Sequence, residues 1–325
     1  MHNRNYIGLV YIFVCVAAAV QFYIAFHAIG GVDIDVYWGQ SIGIDYKNPR
    51  YYQEPVSWEI IRIMSYFLSR AEFVFGFSII VLIISIIRLG FFGGIMLYAA
   101  FLSPFGVMLE FNVLRQCLGT LFIIFFILSI VKDRRVAAAI WGVLTILSHN
   151  SLILILGFLV FVHYYTVFGR DWKIISSVGL VSGAFLLQLF GGLELILGSR
   201  TESFTSKIID DGLQNLVYLA FAWALCASLF LVAQQRKWRS IAVGLVAATL
   251  FTLIVTLLLG LDEWVYGRMA ITAIVICHFL LLYDAWEMRR AGLFGALFLG
   301  SLIVVNGTII LFHPGAMMMI QGYYI

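Results

Sequence analysis

The stretch VLRQCLGTLFIIFFILSIVKDRRVAAAIWGVLTILSHNSLILILGFLVFVHYYTVFGRDWK (residues 113–173) decides how this chain folds. An apolar run over 113–131 ends at the basic cluster Lys132-Asp133-Arg134-Arg135. Two shorter apolar runs follow, 136–148 and 150–168, and a second basic cluster closes the stretch at Arg170-Asp171-Trp172-Lys173. The first run has the length of a transmembrane helix, about 20 residues. Lys and Arg collect at cytoplasmic ends, so both clusters belong on one side. The chain between them must then cross an even number of times. It holds only about 34 residues, so two helices would each reach roughly 25 Å, short of a 30 Å hydrocarbon core. The hairpin is therefore expected to stop below the outer surface. Its tip, Ser148-His149-Asn150-Ser151, places His149 at the floor of an outward-facing cavity.

The same pattern extends in both directions. Apolar runs lie near 7–29, 71–87, 89–105, 113–131, 136–148, 150–168, 174–193, 213–233, 240–261, 268–285 and 291–312. The chain reads as an all-α, polytopic membrane helix bundle of about eleven spans, one transmembrane domain over residues 1–325. The flank of the first run (Gly30-Gly31-Val32-Asp33) lacks a cleavage pattern, so that run reads as a retained span. Composition agrees: 63% of the residues are hydrophobic and 11% charged, which no water-soluble fold of 325 residues could bury. No basic stripe is present outside short loops, so nucleic-acid binding is not indicated. Cys15, Cys117, Cys226 and Cys277 all fall in apolar runs without CxxC spacing, so neither a disulfide framework nor a zinc site is expected.

Charge orients the bundle. With the N-terminus inside, the inner loops carry twelve of the 20 Lys and Arg residues and only four of the 17 acids. The N-terminus is therefore expected in the cytoplasm and the C-terminus outside. Trp38, Trp58 and Trp264 then sit at outer edges and Trp172, Trp238 and Trp286 at inner ones. No internal repeat is visible, and span interiors are almost free of charge, unlike those of carriers. The remaining charges gather at outer ends, among them Asp33, Asp35, Glu54, Glu59, Glu110, Arg115, Arg200, Asp262, Glu263 and Arg268. The site is expected to open to the outer face.

The first outer segment, about 30–70, contains Ile60, Ile63, Met64, Phe67 and Leu68 at helical spacing after Pro55. It predicts an amphipathic helix over 55–68, lying in the outer interface or packed over the bundle. A second outer segment, 191–214, is expected to form another short helix. Arg115 opens a span, where an unpaired charge costs several kcal/mol. Either Glu110 neutralises it or it holds an anionic ligand. Arg268 faces the same choice, with Glu263 or Asp262 as partner, and Arg200 reads as a loop residue. His27, His163, His278 and His313 read as packing or interface residues, and Gln188 and Asn306 as buried polar groups bonding between helices.

Four pieces in order carry a family resemblance. Gly31-Val-Asp33-Ile-Asp-Val-Tyr37 is similar to G-x-D-x-x-x-Y, and Glu54-Pro55 before an apolar helix is similar to an E-P segment. Asn112-Val-Leu-Arg115-Gln116 is similar to N-x-x-R-Q, and Ser148-His149-Asn150-Ser151 to an F-H-x-S tip with serine in place of phenylalanine. Together they resemble the EpsG family of polysaccharide polymerases, a Wzy-like group of GT-C type membrane glycosyltransferases. The resemblance covers about residues 31–155, with only Arg268 matching beyond.

The resemblance implies a bacterial cytoplasmic-membrane enzyme that joins undecaprenyl-pyrophosphate-linked oligosaccharides at the outer leaflet. Donor and acceptor are both lipid-linked; membrane lipids, a flippase and a chain-length regulator are the further partners implied. Arg115 and Arg268, with Arg200, would bind pyrophosphate, and Asn112, Gln116 and Tyr37 would line the substrate site. His149, Asp33 or Glu54 would act on the acceptor hydroxyl, and Glu54 would alternatively hold sugar hydroxyls or fix Arg115. Tyr37, Trp38, Tyr51, Tyr52 and Trp58 would stack on sugars or anchor the interface. No cofactor is expected, although Asp33-Ile-Asp35 also reads as a D-x-D pattern that suits a divalent metal.

Three other functions are alternatives, and the sequence does not separate the first of them from the polymerase. A GT-C transferase using a polyprenyl-phosphate sugar donor shares most of these features. A membrane O-acyltransferase would need a cytoplasmic donor path, against the nearly uncharged inner half. A lipid-linked glycan transporter would need a charged or polar cavity through the bundle.

Overall fold

The structure, a computed structural model, describes residues 2–27, 34, 37–38, 54–101, 106, 109–110, 113–167, 212–232, 236–259 and 264–287. Among these every regular element is helical. The α-helices are α1 (His2–His27), α2 (Pro55–Phe67), α3 (Phe73–Ala100), α4 (Leu114–Val131) and α5 (Arg135–Ser148). They continue with α6 (Ile153–Val167), α7 (Gly212–Val232), α8 (Arg236–Leu259) and α9 (Trp264–Glu287). Six are long and apolar enough to cross a membrane, and α5 and α6 are shorter apolar helices. The expected spans 174–193 and 291–312, with Gln188, Asn306 and His313, and the outer segment 191–214 up to Asp211 lie outside the described residues.

The chain divides into two units, residues 1–125, 143–149 and 278–325 in the first and 126–142 and 150–277 in the second. In the first unit α3 is not one long rod. Gly90 has φ 77°, a left-handed conformation that glycine adopts without a Cβ clash. The chain reverses there: the Ser78 and Tyr98 hydroxyls, twenty residues apart, are hydrogen bonded at 2.6 Å. A straight helix would hold those residues about 30 Å apart. The described residues of the runs expected at 71–87 and 89–105 thus form the arms of one helical hairpin. Gly94 lets them close, since a Cβ there would lie 2.5 Å from the Ile86 backbone.

Helix α1 packs along this hairpin. Tyr11 meets Phe92 near the Gly90 turn, at 4.0 Å between ring centroids, and Trp286 joins both rings. Phe22 and Phe26 meet Phe75 near the opposite end. The unit therefore has one end marked by the turn and Trp286. Its other end is marked by Phe26, Phe75 and the Trp38–Phe73 pair.

In the second unit α6 and α8 run antiparallel, with Phe158 on Phe251 and His163 near Ser240. Helices α7 and α8 meet through the Trp223 indole N–H, which donates to Thr249 Oγ1 at 3.0 Å. Helices α7 and α9 run parallel and in register: Asn215 fills the space beside Gly267, and Cys226 and Cys277 bring their sulfurs to 3.3 Å. At one end Lys237 Nζ donates to the Val131 carbonyl at 3.0 Å and to Asp133 Oδ2 at 2.5 Å. Two basic loops that charge assigns to one side are thus side by side. Asp133 has φ 55°, a left-handed turn residue that aspartate tolerates better than most. The Lys237 ammonium holds its carboxyl below the usual carboxylate range.

Candidate functional site

The site forms in the first unit, away from the end marked by Tyr11, Phe92 and Trp286. It starts from Glu54-Pro55. Proline at the first turn suits a helix start, because that N–H has no helical partner anyway. Glu54 is the residue that caps α2, yet its side chain makes no cap hydrogen bond. The carboxylate instead turns inward and is buried.

Two partners share it. The Arg115 guanidinium donates to Oε2. His149 Nδ1 lies 2.7 Å from Oε1. An ionised carboxylate only accepts, so the imidazole carries its proton on Nδ1 and leaves Nε2 as the basic nitrogen. All three side chains are buried, at 4 to 6% exposure. Each closes the charge problem of another: a buried arginine or glutamate alone would cost several kcal/mol.

The rings of Tyr37 and Trp58 complete the enclosure. They meet edge to face at 5.8 Å, and the Arg115 guanidinium lies 5.4 Å from the first centroid and 5.1 Å from the second. Each such cation–π contact is worth about 0.5–2 kcal/mol. Tyr37 and Trp58 are both buried, so in this arrangement they pack on arginine and are not outer-edge anchors.

The hairpin tip delivers His149. Helix α5 has 14 residues and α6 has 15, reaching about 21–23 Å each, shorter than a bilayer core. A short 3-10 turn, Asn150–Leu152, joins them. The His149 N–H still donates to the Thr145 carbonyl at 2.9 Å, so the ring is held by the last helical turn. Ser57 Oγ donates to the Ser148 carbonyl at 2.8 Å and ties α2 to the tip. Ser148 Oγ and Trp58 Nε1 are buried with no hydrogen-bond partner among the described residues.

Arg115 takes Glu54 as its counter-ion, one of the roles expected of Glu54, and the alternative pairing with Glu110 is corrected. Glu110 is fully buried and accepts from Gln21 of α1. The inward face of α2 is Ser57, Trp58, Ile61 and Met64, while Ile63 and Phe67 of the expected apolar face are exposed. Apolar residues thus occur on both sides of this helix.

Gln116 is buried beside Arg115 in the sequence. Arg268 is half-buried on α9 in the second unit. His163 and His278 are buried, and His27 packs on Tyr23 and Phe26. Asp33, Asp35, Asn112, Arg200, Tyr51, Tyr52, Asp262 and Glu263 lie outside the described residues. Sequence reasoning missed Ser57, whose small hydroxyl in a polar-apolar helix carries no signal. It also missed Gln21, whose uncharged amide sits silently in an apolar run. The chain matches no family model, no curated protein and no solved structure.

Proposed function

We propose that this chain is a glycosyltransferase of the EpsG/Wzy-like kind, a polysaccharide polymerase of the bacterial cytoplasmic membrane. It would transfer a growing glycan from undecaprenyl pyrophosphate to a hydroxyl of another lipid-linked oligosaccharide at the outer leaflet. The observation that supports this reading is the single Glu54 carboxylate shared by His149 Nδ1 and Arg115.

The chemistry follows from that sharing. His149 Nε2 takes the proton of the acceptor hydroxyl as its oxygen bonds the anomeric carbon of the donor. The bond from that carbon to pyrophosphate breaks, and the electron pair leaves with the phosphate oxygen. Glu54 holds the imidazole tautomer and steadies the imidazolium once formed, so it acts as a positioning residue and not as the base. Before proton transfer the trio is neutral overall; after it, the trio carries one positive charge. That charge arises as negative charge builds on the leaving group, which is the condition for transition-state stabilisation. Arg115 is the cation assigned to pyrophosphate.

The test is direct. Purified protein, or membranes containing it, is given the cognate lipid-linked repeat unit, and the products are sized on a gel. A ladder is expected, and it should vanish with His149→Ala. Absence of any ladder in both preparations overturns the proposal.

A further inference from the structure

A second polar cluster lies in the first unit, apart from the Glu54 trio. Gln21 of α1, Ser78 and Tyr98 of the two α3 arms, and Glu110 are all at most 1% exposed. The Gln21 amide donates to Glu110 Oε2, the Ser78 hydroxyl also hydrogen bonds the Glu110 carboxylate, and the Tyr98 hydroxyl bonds to Ser78. Two oxygens are left over: Gln21 Oε1 and Glu110 Oε1 are buried and meet no donor among the described residues. Nor does any Lys, Arg or His form an ion pair with Glu110 there. The other titratable groups facing the carboxyl are the Tyr98 phenol and the Cys117 thiol, both weak acids. Arg115, five residues on, is bonded to Glu54.

An ionised carboxylate in this place would be a buried charge without a cation, next to an amide oxygen that can only accept. One proton resolves both problems. A carboxylic acid and a carboxamide form a ring of two hydrogen bonds: amide N–H to acid oxygen, and acid O–H to amide oxygen. The existing bond supplies the first half, and the two orphaned oxygens are the atoms of the second. We propose that Glu110 is a proton-binding site, its acid proton bridging Glu110 Oε1 and Gln21 Oε1. Deprotonation replaces a closed ring by two facing acceptors and a net charge. It therefore loosens the joint between α1, the α3 hairpin and the segment that leads into α4 and Arg115.

Infrared spectroscopy of the purified protein tests this without any substrate. At neutral pH the wild type should show the carbonyl stretch of a protonated, hydrogen-bonded carboxylic acid. Glu110→Gln should lose that band, whereas Asp133→Asn should keep it. Gln21→Leu should shift it towards the free-acid position, which serves if Glu110→Gln does not fold. Glu110→Gln should match the wild-type Tm at neutral pH and exceed it as pH rises. Spectra of wild type and Glu110→Gln that coincide in this region, or a band unmoved by Gln21→Leu, overturn the proposal. A wild-type Tm that rises with sodium but not with choline, an effect absent from Glu110→Gln, also overturns it, because the carboxyl then holds a metal cation.

Discussion

Ser78 and Tyr98 lie on opposite arms of one helical hairpin, their hydroxyls bonded at 2.6 Å across a reversal at Gly90. The hairpin depends on two glycines for different reasons. Gly90→Ala places a Cβ at φ 77° and should destabilise by about 1–2 kcal/mol. Gly94→Ala drives a Cβ into the Ile86 backbone and should lower Tm further. Gly8, with open space around it, is the control: Gly8→Ala should hold or raise Tm. Thermal melts in detergent decide the order.

Breaking the Glu54–Arg115 pair should be costly on either side. Glu54→Gln or Arg115→Met each leaves a buried group uncompensated, with an expected loss of about 3–5 kcal/mol. The double variant should lose less than the two singles combined, because it leaves no stranded charge. Additive losses in a denaturant series would mean that the two side chains do not depend on each other.

His149 and Ser57 should separate chemistry from positioning. His149→Gln should reduce polymer formation by roughly 100- to 10,000-fold, the usual range for a lost general base. Ser57→Ala removes one hydrogen bond to the tip, about 1 kcal/mol, and should lower turnover far less. Ser57→Thr should restore it. A His149→Gln variant with wild-type laddering removes the ring from the reaction.

The loop contact between Asp133 and Lys237 sets a pH dependence in the second unit. The carboxyl is held below its ordinary value, so its contribution is present above the unfolded carboxylate range, about 3.9, and is lost as pH falls through the lower folded value. The Tm difference between wild type and Asp133→Asn should therefore shrink in acid. It should also shrink in high salt, because the acid is exposed.

The parallel register of α7 and α9 can be read chemically. Cys226 and Cys277 are free thiols with sulfurs 3.3 Å apart. A membrane-permeant oxidant should join them, and proteolysis between α7 and α8 should then leave the fragments linked until reduced. Cys226→Ser should abolish the link. No link in the wild type would mean the register is offset.

The hairpin over 135–167 was legible because two basic clusters bracket a stretch too short to cross twice at full depth. Helix α2 was legible from Pro55 and its periodicity. Which face a helix buries was not. In a bilayer lipid is as apolar as protein, so composition does not separate the two. Helices α1 and α4 show this: their windows are similarly apolar, yet α4 is almost wholly buried and α1 mostly exposed. For the same reason Trp58 and Ser57 did not declare themselves as the inward face of α2. Arg115 announced a need for a partner because charge is costly there. The choice of Glu54 over Glu110 depends on packing between segments 61 residues apart, which no local pattern records.

That separation in the chain also sets an order of assembly. Glu54 and Arg115 leave the ribosome first, and His149 follows about 34 residues later, some two to seven seconds at ordinary rates of synthesis. During that interval the glutamate and arginine can neutralise each other within the translocon without the imidazole. The nascent chain is thus inserted with its charges matched but the imidazole still to come. The trio is completed as a separate, later event, when the tip of the 135–167 hairpin docks under α2 and closes the carboxylate's second oxygen.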